Sequence, residues 1–224
     1  MMSRIEYPDF DIFELDELMS EKASVLIANE ILKRVDFVRS GMIDMGVLRN
    51  FIVKVVDSYS RTNALYHNDL HAADVMQTLF TKNKMKLGDL DKFSMLIGAI
   101  CHDLKHTGQN NIFHINTRSK IAMKYNDISV LEISTLRRLL NFYHQKVLSA
   151  TKAKIETYKI NSGTNFNRIF DVETAKLFDA QQVVLNMCLH TADISNPAKP
   201  GKISEAWTQK VYAEFFRQGT QRKS

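Results

Sequence analysis

The sequence predicts an all-α chain. Only three prolines and eight glycines occur in 224 residues, and apolar residues recur three and four positions apart, the period of a helix rather than of a strand. Taken in order, Pro8 ends a polar lead, and Phe10 to Leu15 is short and mixed enough for a turn or a brief helix. Ala23, Leu26, Ile27, Ile31 and Val35 form one helical stripe. Met45, Leu48, Phe51, Ile52, Val55, Val56 and Tyr59 form a second, clearly amphipathic one. The polar, charged stretch 82–89 predicts a solvated loop. The run Leu96, Ile97, Gly98, Ala99, Ile100, Cys101 is apolar on every side and predicts a core helix whose last turn presents His102 and Asp103 at the floor of a cavity. Residues 130–154 are helical in composition, 158–171 form a polar connector with Gly163, and helical periodicity resumes over 172–190. Asp193 should stand at a helix end that turns into an extended stretch, because a residue before proline is pushed out of the helical region and Pro197 follows. The last segment, 206–216, predicts an amphipathic helix with Trp207, Val211 and Phe215 on one face.

Length and composition fit a single domain, 1–224, and 45% hydrophobic residues suffice for a sizeable core. There is no internal repeat or low-complexity tract. The net charge of +5 is spread along the chain rather than gathered into a stripe, which argues against nucleic-acid binding. Two cysteines, Cys101 and Cys188, are too few and too far apart for a disulfide framework or a cysteine zinc site, and predict small core residues in a reducing, cytoplasmic setting. The N-terminus has no hydrophobic leader, and no run approaches the roughly 18 apolar residues of a membrane span.

Three blocks carry the chemistry: Tyr66-His67-Asn68-Asp69-Leu70-His71, then His102-Asp103-Leu104-Lys105-His106, then Thr191-Ala192-Asp193. On a helix His67 and His71 would share one face, so both can point into one cavity and either can be ligand or proton donor. His102 and Asp103 splay by about 100° around a helix and can share a cation only near its end. Asp103 has two oxygens and can bridge two cations, and Asp193 completes two imidazoles and two carboxylates around the first. Such mixed ligation suits zinc, iron or manganese, and a second site of one bridging carboxylate plus waters suits magnesium or manganese. Each block alone is weak, since a lone histidine is more often packed than ligating and an aspartate can simply cap a helix. Their joint occurrence is stronger: four of the seven histidines fall in the first two blocks. His114 and His144 stay unassigned.

The run from Tyr66 through His71 to Ala72-Ala73-Asp74-Val75-Met76-Gln77 closely resembles the signature of the class I 3′,5′-cyclic nucleotide phosphodiesterases. His102 to Asn111, Tyr125 to Glu132, and Leu189 to Pro197 follow in the family's order, and Phe10-Asp11-Ile12-Phe13 resembles its domain start. The resemblance implies a compact multi-helix domain of the HD type with a di-metal pocket, hydrolysing cyclic AMP or cyclic GMP to the 5′-monophosphate. It implies His71, His102, Asp103 and Asp193 as ligands of a first cation, zinc, and Asp103 as the bridge to a second, magnesium or manganese. His67 would be the general acid protonating the departing 3′-oxygen, and Tyr66, His106, Glu132 and Asn196 would face the substrate or support the ligands.

The departures are as informative. Ile133-Ser134-Thr135 stand where the family has Asn-His-His, removing a polar support near the second cation. Ala150-Thr151-Lys152 keep only a remnant of another family stretch, and the loop between the first two blocks is short. The sequence stops soon after Gly219, before the helices that in the family carry the purine-binding glutamine and the aromatic clamp, so the expected domain is C-terminally shortened, with an apolar wall left open. A homodimer is compatible with that wall. Two other readings stand beside the enzyme: a phosphodiesterase-like protein that keeps metal but regulates or dimerises, and a more general HD-type nucleotide phosphohydrolase. The long match from His67 to Gln77 speaks against the last.

Overall fold

The computed structural model describes residues 1–19, 23–59, 64–81, 87–142 and 172–221, and among them every regular element is a helix. Several expectations therefore lie outside the described residues: most of the 82–89 loop, the helical stretch beyond Phe142, the polar connector and the Ala150-Thr151 remnant. The brief helix near the start is α1, Ile12–Met19. Asp11 begins it by accepting hydrogen bonds from the N–H groups of Phe13 and Glu14, both at 3.1 Å, which satisfies two of the donors a helix start leaves open. The first stripe becomes α2, Ala23–Lys33, and α3, Asp36–Arg39, with Val35 in extended backbone between them. α4, Met45–Tyr59, has the bounds the periodicity predicts, and Leu48, Phe51, Ile52, Val55, Val56 and Tyr59 of its stripe are buried.

At the centre lies α5, Asp69–Thr81, in which every residue from Leu70 to Leu79 is buried. It packs against α2 and α6, Asp89–Cys101, and against α10, Val172–Asp193. A helix covered on all sides shows no one-faced stripe, so its sequence reads as a motif rather than as a periodicity. Three shorter pieces precede α10. These are α7, Asn111–Asn116, α8, Lys120–Lys124, and α9, Val130–Phe142. Asn110 and Ser119 cap the first two by accepting from the N–H groups of Phe113 and Ala122. Ser119 also hydrogen-bonds Nδ1 of the buried His114, whose Nε2 pairs with Thr107. His114 is thus a satisfied structural histidine. Ser119→Ala is expected to cost about 1–2 kcal/mol, from the lost cap and the unpaired imidazole nitrogen, read as a lower urea midpoint with an unchanged slope.

Two expectations are corrected at the C-terminal end. After Asp193 the chain forms a 3-10 turn, Asn196–Ala198, instead of an extended stretch. Pro197 sits inside its first turn, where the missing N–H costs nothing; extended backbone appears only at Lys199. The final helix, α11, spans Gly201–Gln221, and its buried face is Ile203, Trp207 and Glu214. Phe215 is 56% exposed and Phe216 74%, so Phe215 belongs to the outer face and a carboxylate occupies the inner one. Tyr212, Phe215 and Phe216 on α11, with Val183, Val184 and Met187 on α10, are exposed apolar residues, whereas Trp207 is fully buried.

Candidate active site

Each histidine and aspartate block sits where a helix begins or ends, because such ends free side chains and backbone groups to face a cavity. Asn68 starts α5 by accepting from the N–H groups of Leu70 and His71, both at 3.1 Å. His67 therefore lies in the bend before the helix, not on it, which corrects the one-face picture. The two rings still reach the same space, their centroids 5.9 Å apart. His102 caps the end of α6 and Asp103 follows in the turn, with Lys105 forced to a positive φ of 60°. α9 holds that turn: Thr135 donates to the carbonyl of Leu104 and Arg138 to that of Lys105. Thr135, from the triplet that departs from the family pattern, thus supports the backbone of the second block. Asp193 closes α10.

These ends converge. His71 Nε2 is 2.9 Å from Asp193 Oδ1 and 3.9 Å from Asp103 Oδ2. His102 Nε2 is 3.2 Å from Asp103 Oδ2 and 3.3 Å from Asp193 Oδ1. The Nδ1 of His102 lies 2.7 Å from the Ala99 carbonyl; a carbonyl only accepts, so Nδ1 carries a proton and Nε2 is left to face the cluster, where it can hold a second proton or give its lone pair to a cation. That Nε2 is buried and makes no hydrogen bond. A lone pair aimed at two carboxylate oxygens is repulsive unless positive charge lies between them. The donor set, two imidazoles and two carboxylates, fits a divalent cation of the zinc or manganese kind.

The titration behaviour also calls for positive charge at this point, a proton or a cation. Burial opposes charge on His102, yet the adjoining Asp103 and Asp193 hold its pKa well above the ordinary range. Burial pushes both carboxyls up, but the neighbouring imidazoles win and leave Asp103 and Asp193 strongly depressed. Burial lowers His71, which favours the neutral ring a metal needs.

A second cluster adjoins the first. Glu214, only 1% exposed, meets His67 Nδ1 through Oε1 in a very short contact and accepts at Oε2 from the N–H groups of Tyr66, 2.8 Å, and His67, 3.3 Å. The ring of His106 stacks on that of His67, centroids 3.9 Å apart. Burial disfavours charge on His67, but the Glu214 hydrogen bond and the fields of Asp103, Glu214 and Asp193 raise its pKa above the usual value. Burial, then the charge of His67, pushes His106 down to about 4. Burial would raise Glu214, but His67 draws it down to about 2. One imidazole is thus held protonated and its neighbour neutral. Donor atoms of His67, His106 and Glu214 lie within 4.8 Å of one another, yet this trio suits proton holding better than metal binding: His106 Nδ1 already accepts from the Gly108 N–H at 3.1 Å, and the Glu214 oxygens are committed to His67 and two backbone donors.

α11 is fastened to this corner. Gly108, at φ 72°, brings its loop against Glu214 and Arg217, where an added Cβ would lie 3.3–3.4 Å from both side chains. The Asn110 N–H donates to Gln218 and Gln109 donates to Gln221. Asn196 donates to the hydroxyl of Tyr66, whose ring lies tilted against that of His71 with centroids 4.5 Å apart. The structure therefore gathers Tyr66, His67, His71, His102, Asp103, His106, Asp193 and Asn196 into one site. Glu132 stands apart: it is exposed and accepts from the side chain of Asn111. Sequence reasoning missed Glu214, although its spacing of seven from Trp207 put it on the apolar face.

The all-α bundle with His and Asp side chains gathered at its helix ends matches the fold of a phosphodiesterase catalytic domain. The sequence pattern of the 3'5'-cyclic nucleotide phosphodiesterase family matches residues 66–161 and 141–224, and the chain belongs to that family. It is 34% identical over 233 aligned residues to the probable 3',5'-cyclic phosphodiesterase pde-1 of Caenorhabditis elegans, covering 94% of this chain and 35% of that protein. It is 35% identical over 233 to the human dual specificity calcium/calmodulin-dependent 3',5'-cyclic nucleotide phosphodiesterase 1C, covering 94% and 33%. The chain spans about a third of the length of these relatives. The solved phosphodiesterase domain of Salpingoeca rosetta rhodopsin phosphodiesterase superposes with a TM-score of 0.79 at 25% identity, covering 98% of this chain and 73% of that one. Among the described residues no helix is long and apolar enough to cross a membrane.

Proposed function

We propose that the chain is a divalent-cation-dependent phosphodiesterase that opens the 3′-ester of a cyclic nucleotide, cyclic AMP or cyclic GMP, to give the 5′-monophosphate, working in the cytoplasm in signal transduction. The observation that carries this reading is the buried, unpartnered Nε2 of His102 facing the oxygens of Asp103 and Asp193. His71, His102, Asp103 and Asp193 would hold the first cation, zinc, and Asp103 would also reach a second, magnesium or manganese. When bound, such cations supply Lewis acidity, making water more acidic and neutralising charge on phosphoryl oxygens.

The chain's own groups do the rest. His67, outside the ligand set, donates a proton to the departing 3′-oxygen. Glu214 keeps its Nδ1 side paired, so the Nε2 side is turned to the substrate. His106, neutral, supports the face of the His67 ring without competing for the proton. Tyr66 and Asn196 act as one hydrogen-bonded unit that braces His71, and Glu132 accepts from Asn111 on the exposed surface.

The test is hydrolysis of each cyclic nucleotide by the purified chain before and after chelation, with bound metal measured in the same samples. Chelation is expected to abolish release of 5′-monophosphate, and magnesium or manganese to restore it. A rate indifferent to chelation would end the metal reading. Full metal occupancy with no turnover of either nucleotide would leave a regulatory, phosphodiesterase-like protein instead.

A further inference from the structure

A second charged pair lies beside the ligands and takes no part in the chemistry above. Lys199 Nζ is 2.5 Å from Asp74 Oδ1, with side chains only 6% and 2% exposed. Asp74 stands three residues past His71 on α5, hence nearly on the same face. Lys199 ends the 3-10 turn that follows Asp193. The turn therefore has two ties to the first block: Asn196 to Tyr66 at 2.5 Å, and Lys199 to Asp74. His71 lies between the two anchor points, Tyr66 and Asp74. On one side the turn leads back to Asp193, and on the other it leads through Gly201 into α11 and Glu214.

A buried ion pair of this kind is a poor source of stability, because desolvating two charges offsets most of their attraction. Its directional character is different: an ammonium fixed on one carboxylate sets the spacing of the two segments it joins. We propose that Lys199 and Asp74 are positioning residues that hold Asp193 in register with His71, so that the cation site is assembled before a metal arrives. This rests on the metal reading of the four ligands.

The experiment compares the wild-type chain with Asp74→Leu/Lys199→Met, which removes both charges together and leaves neither buried alone. After chelation, zinc affinity is measured by calorimetry, and cobalt is added to record the visible absorption of its ligand field. The double variant should keep its helical circular dichroism and melting temperature, bind zinc about 10–100-fold more weakly, the usual effect of losing support behind a ligand, and show an altered cobalt spectrum. Wild-type affinity and an unchanged spectrum in that variant would overturn the proposal. Should it fail to fold, Lys199→Arg decides: it retains the charge but moves its centre, so weaker zinc binding is expected and unchanged binding refutes the role. Asp193→Ala separates this from the parent reading, since equal metal uptake by that variant and wild type removes the ligand set itself.

Discussion

Replacing His67 with alanine is expected to lower cyclic-nucleotide hydrolysis by about 10²–10⁴-fold, the usual loss for a general acid, while bound metal stays at the wild-type level. The second half of that result matters, because His67 lies outside the proposed His71, His102, Asp103 and Asp193 set and its removal leaves every proposed ligand in place. Glu214→Gln gives the finer reading. In the wild type, burial opposes the imidazolium, but the Glu214 hydrogen bond and nearby carboxylates raise its pKa. A group that must be protonated to act then keeps working until pH rises through that raised value. Without the carboxylate the burial effect has less to oppose it, so the alkaline limb of kcat should move to lower pH, and activity lost on the alkaline side should return in part on acidification. An unmoved limb would mean that Glu214 does not hold the acid.

The same pair has a signature in stability. His67, raised in the folded state, contributes fully below its unfolded value of about 6.5 and loses that contribution as pH rises through the folded pKa. Glu214, lowered to about 2, contributes fully above its unfolded value of about 4.5 and loses it as pH falls toward 2. The ion pair is one interaction seen from both partners. Its window is therefore roughly pH 4.5 to 6.5 at full strength, narrowing away on either side.

That Glu214 was hidden in the sequence while the proposed ligands were plain has a physical cause. The proposed ligands announce themselves because four of the chain's seven histidines fall in two short blocks beside aspartates. α4 is legible to the residue because one face meets the core and the other meets water. α5 is legible only as a motif, since neighbours surround it. On α11 the hydrophobic ranking favours Phe215 over Glu214, yet the helical angle from Trp207 puts Glu214 inside. Its burial is tolerable only because His67, 147 residues earlier, supplies the opposite charge and Tyr66 a backbone donor. No local pattern records a partner that distant. The turn after Asp193 was misread for a related reason: the proline rule disfavours an α-helix before Pro197, but a 3-10 start leaves that position without an N–H to satisfy.

Trp207→Ala is expected to destabilise the fold by about 3–5 kcal/mol, the range for deleting a large buried aromatic, a major fraction of the 5–15 kcal/mol typical of a domain. Trp207 is fully buried. Its ring lies 4.7 Å from Phe13, 5.6 Å from Tyr66 and 5.7 Å from His71, centre to centre, so it joins α1, the bend before α5 and α11 in one contact. The indole Nε1 is buried without a hydrogen bond, which means that packing rather than polarity is at stake. Trp207→Phe should therefore cost clearly less than the alanine change, since it keeps an aromatic against Phe13 and Tyr66 and removes an unsatisfied donor. Because Trp207 is the chain's sole tryptophan, the series is followed by far-ultraviolet circular dichroism in urea. An alanine variant within 1 kcal/mol of wild type would show that α11 is held by its polar ties to the loop at Gly108–Asn110 instead. If packing does hold it, Glu214 loosens with the helix, and the variant's remaining folded fraction should hydrolyse cyclic nucleotide with an alkaline limb displaced in the same direction as in Glu214→Gln.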